Sequence, residues 1–380
     1  MAEKWACDDL IEHTASISLA VEGNITGQDQ ASEPNARFSL ALACLSQDLQ
    51  DWRNILWLEI ESVSTRGEIH QVDGDEAAFQ LTRGLQKLGV ASRTVQFDLG
   101  SSRPSQISQS SGTQVNLSTR DKLCQYFHTQ MINATTRDSC MVFFEKTQTF
   151  KHFLYPGKRS QVSTRRSTCL RKLFSDTRQK GEPYNWCEKL RLARTLALGA
   201  VRFHSTPWLD EAWTSEDVYF IHHGTEENAS ETSLRSPWLT VRLSPDSTRK
   251  RITKQDPPGQ TALSIAPNGT LYSLGVILLE LGYDAPLCDL RQSGDLIEGQ
   301  ANQFTDFFTA RRLAHSVSKK YNPAYGRLVR KCLDCDFGVG SDLSSAELQG
   351  AVILHLVYAL DHCLQVENEI ERMLSSTSRV

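Results

Sequence analysis

The hydrophobic pattern of this 380-residue chain peaks in one short stretch. From Leu271 to Leu281 it is apolar on nearly every side, and only Tyr272, Ser273 and Glu280 offer polar side chains. A helix that is apolar all round belongs inside a domain or a membrane. These 11 residues are too few to cross a bilayer, which takes about 20. Asn268 or Thr270 can cap the start, and Gly282 can close the end in the left-handed conformation. The stretch predicts a buried core helix with other elements packed around it.

Elsewhere the periodicity is weaker. Leu40, Cys44, Leu45, Leu49, Trp52, Leu56 and Ile60 recur at helical spacing, and Glu76–Leu88 repeats the pattern, so residues 1–90 read as a helical N-terminal segment. Thr94–Phe97 alternates as a strand does. Residues 101–120, rich in Ser, Gln and Thr, read as a flexible loop. Leu123–Phe127, Cys140–Glu145 and Thr149–Leu154 suggest short strands, and Lys158–Arg166 a solvated basic loop. Asn185 with Glu188 makes a capping box for a helix whose apolar face ends near His204 and which Pro207 stops. Two short strands come next, at Val218–Ile221 and Trp238–Leu243, ahead of the core helix. Tyr325–Leu333 reads as a helix. Ser344 with Glu347 caps a longer one, with Leu348, Val352, Leu356, Ala359, Cys363, Val366 and Ile370 on one face.

Composition narrows the class. An apolar share of 39% and a charged share of 23% describe a globular protein, and a net charge of -4 argues against a nucleic-acid surface. No basic-then-apolar leader opens the chain and no apolar run reaches membrane length, so an intracellular protein, cytoplasmic or nuclear, is expected. The ten cysteines are then expected as free thiols.

The phrase Tyr272-Ser273-Leu274-Gly275-Val276-Ile277-Leu278-Leu279-Glu280-Leu281 is similar to the core-helix phrase of protein kinases, and Leu196–His204 resembles the helix that precedes it there. More specifically, the chain resembles the DUF7580 family, a degenerate kinase-like family of filamentous fungi. The runs at 192–209, 274–281 and 332–338, with the closing helix, carry the resemblance. It extends over roughly residues 120–374. It implies an α+β, kinase-like fold: a helical extension over 1–90, a reduced strand-containing N-lobe over 91–180, a helical C-lobe over 181–374 and a disordered tail at 375–380.

Phosphoryl transfer asks for a Gly-rich loop, a strand Lys, a catalytic Asp, and an Asp and Asn for magnesium. The resemblance places the catalytic position at Ala212, with Asp210 and Glu211 as the nearby carboxylates. The magnesium Asn position falls near Asp217. Arg242 stands close to the other magnesium ligand's place, where a cation repels a metal. Thr270 replaces an Asp that usually braces the catalytic loop. Gly84, Gly89 and Gly100 are too dispersed to wrap a triphosphate, and Lys146 and Lys151 have no identifiable Glu partner. A literal Asp336-Phe337-Gly338 lies after the core helix, where Phe337 is expected to anchor a turn and Gly338 to supply positive φ. Cys332 and Cys335 form one CxxC with no second pair, so zinc is not expected. His222 and His223 point to opposite faces of a strand, and His355 and His362 lack a third ligand.

The expectation is a non-catalytic kinase-like protein that binds or scaffolds protein partners in a fungal cell, with no cofactor, metal, nucleic acid or membrane. Two alternatives stand beside it. One is an atypical phosphotransferase built on Asp210, Glu211 and Asp217. The other is an accessory protein of a fungal self-recognition or specialised-metabolite locus.

Overall fold

Period-two alternation organises the first half. Phe38, Leu40 and Leu42 alternate along one segment, and Leu56, Leu58 and Ile60 along the next. In an antiparallel pair these six residues face one another, as Phe38↔Ile60, Leu40↔Leu58 and Leu42↔Leu56. The computed structural model describes residues 13–19, 36–43, 55–64, 115–116, 142–147, 150–156, 165–181, 183–223, 234–243, 265–302 and 304–377. Its strands are β1 (His13–Ser18), β2 (Ala36–Ala43), β3 (Ile55–Ser64), β4 (Val115–Asn116), β5 (Val142–Thr147), β6 (Phe150–Pro156), β7 (Arg165–Cys169), β8 (Val218–His223) and β9 (Pro237–Leu243). They form one sheet in the order β4-β5-β6-β3-β2-β1-β9-β8-β7. Every pairing is antiparallel except β4 with β5.

This corrects the helical reading of residues 40–60 and, with it, of the described part of 1–90. Leu40, Leu56 and Ile60 satisfy both periods, Leu42 and Leu58 only the alternation, and cross-strand pairing decides between them. The second candidate helix, Glu76–Leu88, lies outside the described residues, as do the strands expected at 94–97 and 123–127. The strands expected near 140–154 and 218–243 are present as β5, β6, β8 and β9. β1 joins the two halves of the sheet, pairing β2 on one side and β9 on the other. Its alternate residues Ala15, Ile17 and Ser16, Ser18 are all buried, as a strand covered on both faces requires. Ser16 and Thr240 share a side-chain hydrogen bond of 2.8 Å between β1 and β9.

The helices are α1 (Leu170–Lys180), α2 (Trp186–Phe203), α3 (Gly269–Tyr283), α4 (Thr305–Lys320), α5 (Pro323–Asp334), α6 (Ala346–Val352) and α7 (Tyr358–Thr377). A π-helical turn, Ile353–Val357, links α6 to α7. The whole is a mixed α/β arrangement with an antiparallel sheet and several helices. Among the described residues no helix is long and apolar enough to cross a membrane. α2 lies against the sheet: Leu19 approaches Gly199 closely, and Phe38 meets Phe203 edge-on at 6.1 Å.

α3 is the expected core helix. Asn268 caps it, its side-chain oxygen accepting the Leu271 amide at 2.9 Å. It runs past Gly282 and closes at Asp284, which takes the left-handed conformation at φ 51°. Lys189 of α2 forms an ion pair with that Asp284. Gly275 is where α5 crosses, because a Cβ there would stand 2.9 Å from Leu333 Cγ and 3.1 Å from Cys332 Cβ.

The closing helix differs from expectation in three ways. Ser345, not Ser344, is the cap, accepting the Leu348 amide at 3.2 Å. The π turn then adds a residue and rotates the helix beyond it, so Leu348, Val352 and Leu356 are buried while Val366 and Ile370 are exposed. Residues 375–377, expected in the tail, belong to α7. α4, which the apolar periodicity does not single out, is fastened by Asp295. Arg312 donates to both oxygens of that buried carboxylate, at 2.9 Å and 2.6 Å. Thr309 adds a hydroxyl at 3.1 Å and Gln292 an amide at 2.8 Å.

The packing can be tested at two points. Gly275→Leu forces a side chain into Leu333 and Cys332, and should cost about 1–3 kcal/mol or more, read as a lower melting temperature. The Arg312 hydrogen bonds hold the Asp295 carboxyl at about 2, below its unfolded value. The stabilisation is therefore present above the usual carboxylate range and is lost as pH falls through about 2. Asp295→Asn should lower stability by about 2 kcal/mol at neutral pH, and denaturant midpoints of variant and wild type should converge on acidification.

Candidate functional site

Three short segments converge where α2 ends and α3 begins. α2 stops at Phe203, because Ser205 turns into the left-handed region at φ 57°. The chain then folds back through Thr206, whose hydroxyl donates to the Phe203 carbonyl at 2.5 Å. Asn268 and Thr270 bring the start of α3 to the same place, and Asp342–Ser344 approach from the turn before α6. Together they line a cleft of about 360 Å³ whose wall includes His204, Asp210, Glu211, Thr270 and Asp342.

Most polar groups here have structural partners. His204 Nδ1 lies 2.7 Å from the Val201 carbonyl, which can only accept, so the proton sits on Nδ1. Nε2 is then the acceptor facing Gln349 Nε2 at 3.4 Å. Asp210 accepts the Ala212 amide at 3.2 Å, and Asp342 accepts the Ser344 amide at 2.8 Å. Asn268 donates to the Ser341 carbonyl at 2.9 Å, closing one side of the cleft onto the helix cap. Two contacts brace the turn from beneath. The Trp213 indole donates to the Thr270 carbonyl at 3.1 Å, and the Ser273 hydroxyl donates to the Glu211 carbonyl at 2.8 Å.

The sequence candidates separate. Asp210 and Glu211 line the cleft; Ala212 and Asp217 do not. Asp217 instead closes its own turn, accepting the Thr214 amide at 2.8 Å and the Thr214 hydroxyl at 3.2 Å. Arg242 lies on β9 opposite Thr14, and Lys151 on β6 opposite Glu145. Asp336 is exposed, while Phe337 is buried and Gly338 has φ 79°, as the turn-anchor reading expects. Cys332 and Cys335 are buried free thiols, and burial pushes both up. His355 and His362 are exposed. Among the described residues no group of three His, Cys, Asp or Glu is placed to hold a metal ion. Sequence reasoning does not reach Asp342 and Ser344, since their place in the cleft depends on how α6 packs back on α2. The Asp-x-Ser turn signal at 342–344 is the local clue available.

A family model described as a domain of unknown function, DUF7580, matches residues 1–360. The chain belongs to the DUF7580 family. Among solved structures, the DUF7580 chain matches that of a mutant PAN3 pseudokinase from Neurospora crassa, at 9% identity and a TM-score of 0.30. The match covers 93% of this chain and 66% of that one. A comparison with curated proteins finds no match.

The bracing contact is open to test. Trp213 is 2% exposed, and Trp213→Phe removes its indole donor and leaves a small void. A stability loss of about 2 kcal/mol is expected. Chemical denaturation of the variant should show it as a lower midpoint at unchanged slope.

Proposed function

We propose that this DUF7580 protein is a non-catalytic, kinase-like binding or scaffolding module of a fungal cell. In this reading residues 181–374 make a C-lobe-like helical unit around α3, and residues 91–180 belong to a reduced N-lobe-like region. One observation carries the reading. The turn from Ser205 to Asp217 is committed to holding the fold, through Trp213, Ser273 and the Thr214–Asp217 closure. A catalytic loop needs its carboxylate presented to substrate and its cation presented to phosphate. Among the described residues the cleft wall carries Asp210, Glu211 and Asp342 and no Lys or Arg. A triphosphate entering it would meet like charge.

The phosphotransferase reading keeps one supporting fact, that Asp210 and Glu211 share the cleft. Its third member, Asp217, lies outside that lining. Partners of the module are expected to be proteins and its compartment the cytoplasm or nucleus.

The test is direct. Full-length protein incubated with ATP, magnesium and generic protein substrates should transfer no phosphate, and magnesium-ATP should leave the melting temperature unchanged. Transfer that disappears in Asp210→Asn or Glu211→Gln would establish the phosphotransferase instead.

A further inference from the structure

The helix pair α4 and α5 gathers cations on its outer side. Residues 305–334 hold seven Lys and Arg against two Asp, in a chain whose net charge is -4. On α4, Leu313, Ala314 and Val317 are buried, and Phe308, Arg311, His315 and Lys319 are exposed on the opposite face. On α5, Tyr325, Val329 and Cys332 are buried, Arg327 is exposed, and Arg330 and Lys331 are half-buried. Two ties fix how the helices lie. Arg311 pairs with Asp334, and Gly326 packs on Ser318. α5 therefore runs back along α4, and their outward residues make one face.

Most of the charge on that face is uncompensated. Asp334 is taken by Arg311 and Asp306 by Arg291, while Arg312 is committed to Asp295 and Lys320 turns to the Tyr283 ring. Among the described residues Lys319, Arg327 and Arg330 form no ion pair. Lys331 donates only to the Asp336 carbonyl, at 2.8 Å. Two carboxylates border the face: Asp336 beside Lys331, and Glu367 of α7, which like Arg327 acts on the Cys363 thiol. Four cations outnumber them.

We propose that the outer face of α4 and α5 docks an acidic segment of a partner protein. The proposal rests on the binding-module reading and names the chemistry of the partner. Opposite charge steers such a segment to the face and fixes its orientation, and Phe308, 45% exposed at the Arg311 end, offers an apolar foothold beside the charges. The spacing of the cations selects a protein over a nucleic acid. Arg327 and Arg330 are about 4.5 Å apart along the helix axis, and Lys319 stands across a helix-to-helix distance of about 8–10 Å. Carboxylates on alternate residues of an extended segment recur every ~6.6 Å, a comparable interval. A nucleic acid carries a charge every ~3.4 Å of each strand, denser than these cations can match, and Asp336 and Glu367 at the rim would repel the surplus.

Fluorescence anisotropy on the full chain tests this. The probe is a short labelled peptide in which Glu alternates with Ser after one leading Leu, and its counterpart has Gln in place of every Glu. The acidic peptide should bind with a Kd of about 1–100 µM and the Gln peptide should not. Lys319→Glu and Arg327→Glu, both at exposed sites, should melt like wild type and each weaken binding about tenfold. Lys172→Glu, the same charge change at an exposed position of α1, should leave binding unaltered, which separates this face from the charge of the whole chain. The proposal is overturned if the acidic peptide does not bind, if Lys319→Glu and Arg327→Glu bind it like wild type, or if Lys172→Glu weakens binding as much as they do. Tighter binding of a single-stranded oligothymidylate, or of phosphatidylserine vesicles, would overturn it too. Phosphate transfer by the protein would refute the binding-module reading, whereas an inert protein that ignores the peptide refutes this proposal alone.

Discussion

The rest of the structure depends on the all-round burial of α3. A buried helix still carries carbonyls, hydroxyls and a carboxyl, and each must find a partner that water cannot supply. The neighbours provide most of them in sequence along the axis, while the Tyr272 hydroxyl and one oxygen of Glu280 are buried with no hydrogen-bond partner. Asn268 caps the start, Trp213 reaches the Thr270 carbonyl, and Ser273 reaches back to Glu211. Further along, the Tyr325 hydroxyl donates to the Leu278 carbonyl at 2.7 Å, and Glu280 accepts the Leu287 amide at 2.8 Å. Asp284 closes the end against Lys189. Burial pushes the Glu280 carboxyl up, and hydrogen bonds from Ser215 and the Leu287 amide, with Arg171 nearby, pull it back. α2, α5 and the segments at Glu211–Trp213 and Leu287 are thus attached to α3 by polar bonds as well as by packing.

That constraint also explains why two glycines sit where helices cross. Gly275 lets α5 approach α3, and Gly326 lets α5 approach Ser318 of α4, where a Cβ would fall 2.7 Å from the serine Cβ. The close approach brings Tyr325 deep enough for its hydroxyl to reach α3. Trp186 and Tyr321 stack at 5.0 Å beside it, and Lys189 lies 5.9 Å from the Trp186 ring and 6.0 Å from the Tyr321 ring. The buried ammonium is therefore flanked by aromatic faces and paired with Asp284, which offsets the cost of removing it from water.

Legibility in the sequence depends on how local each signal is. α2, α3 and α5 are readable because caps and apolar faces lie within a few residues of each other. The β2–β3 pair reads as a helix because Leu40, Leu56 and Ile60 fit helical spacing as well as alternation, and their pairing across 12 or more positions distinguishes the two. α4 does not stand out although Ala310, Leu313, Ala314 and Val317 mark a buried face; its polar outer side dilutes the pattern. The exposed outer face of α7 is hidden by a π turn, a backbone irregularity without a residue signature. Of the cleft, Asp210 and Glu211 are legible, while Asp342 reaches it only through the packing of α6, more than a hundred residues along the chain.

The bracing of α3 and the character of the cleft are one arrangement. The segment after α2 lies nearest the start of the core helix, and α3 has carbonyls and a serine there that need partners. Trp213 and the Glu211 carbonyl meet that need, which fixes the turn and directs its backbone inward. The carboxylates left facing the cleft, at 210, 211 and 342, project from capped turns, and two of them already accept neighbouring amides. A loop so employed has few groups left to move a phosphoryl group. What it offers is a polar, acidic surface held in place by the core.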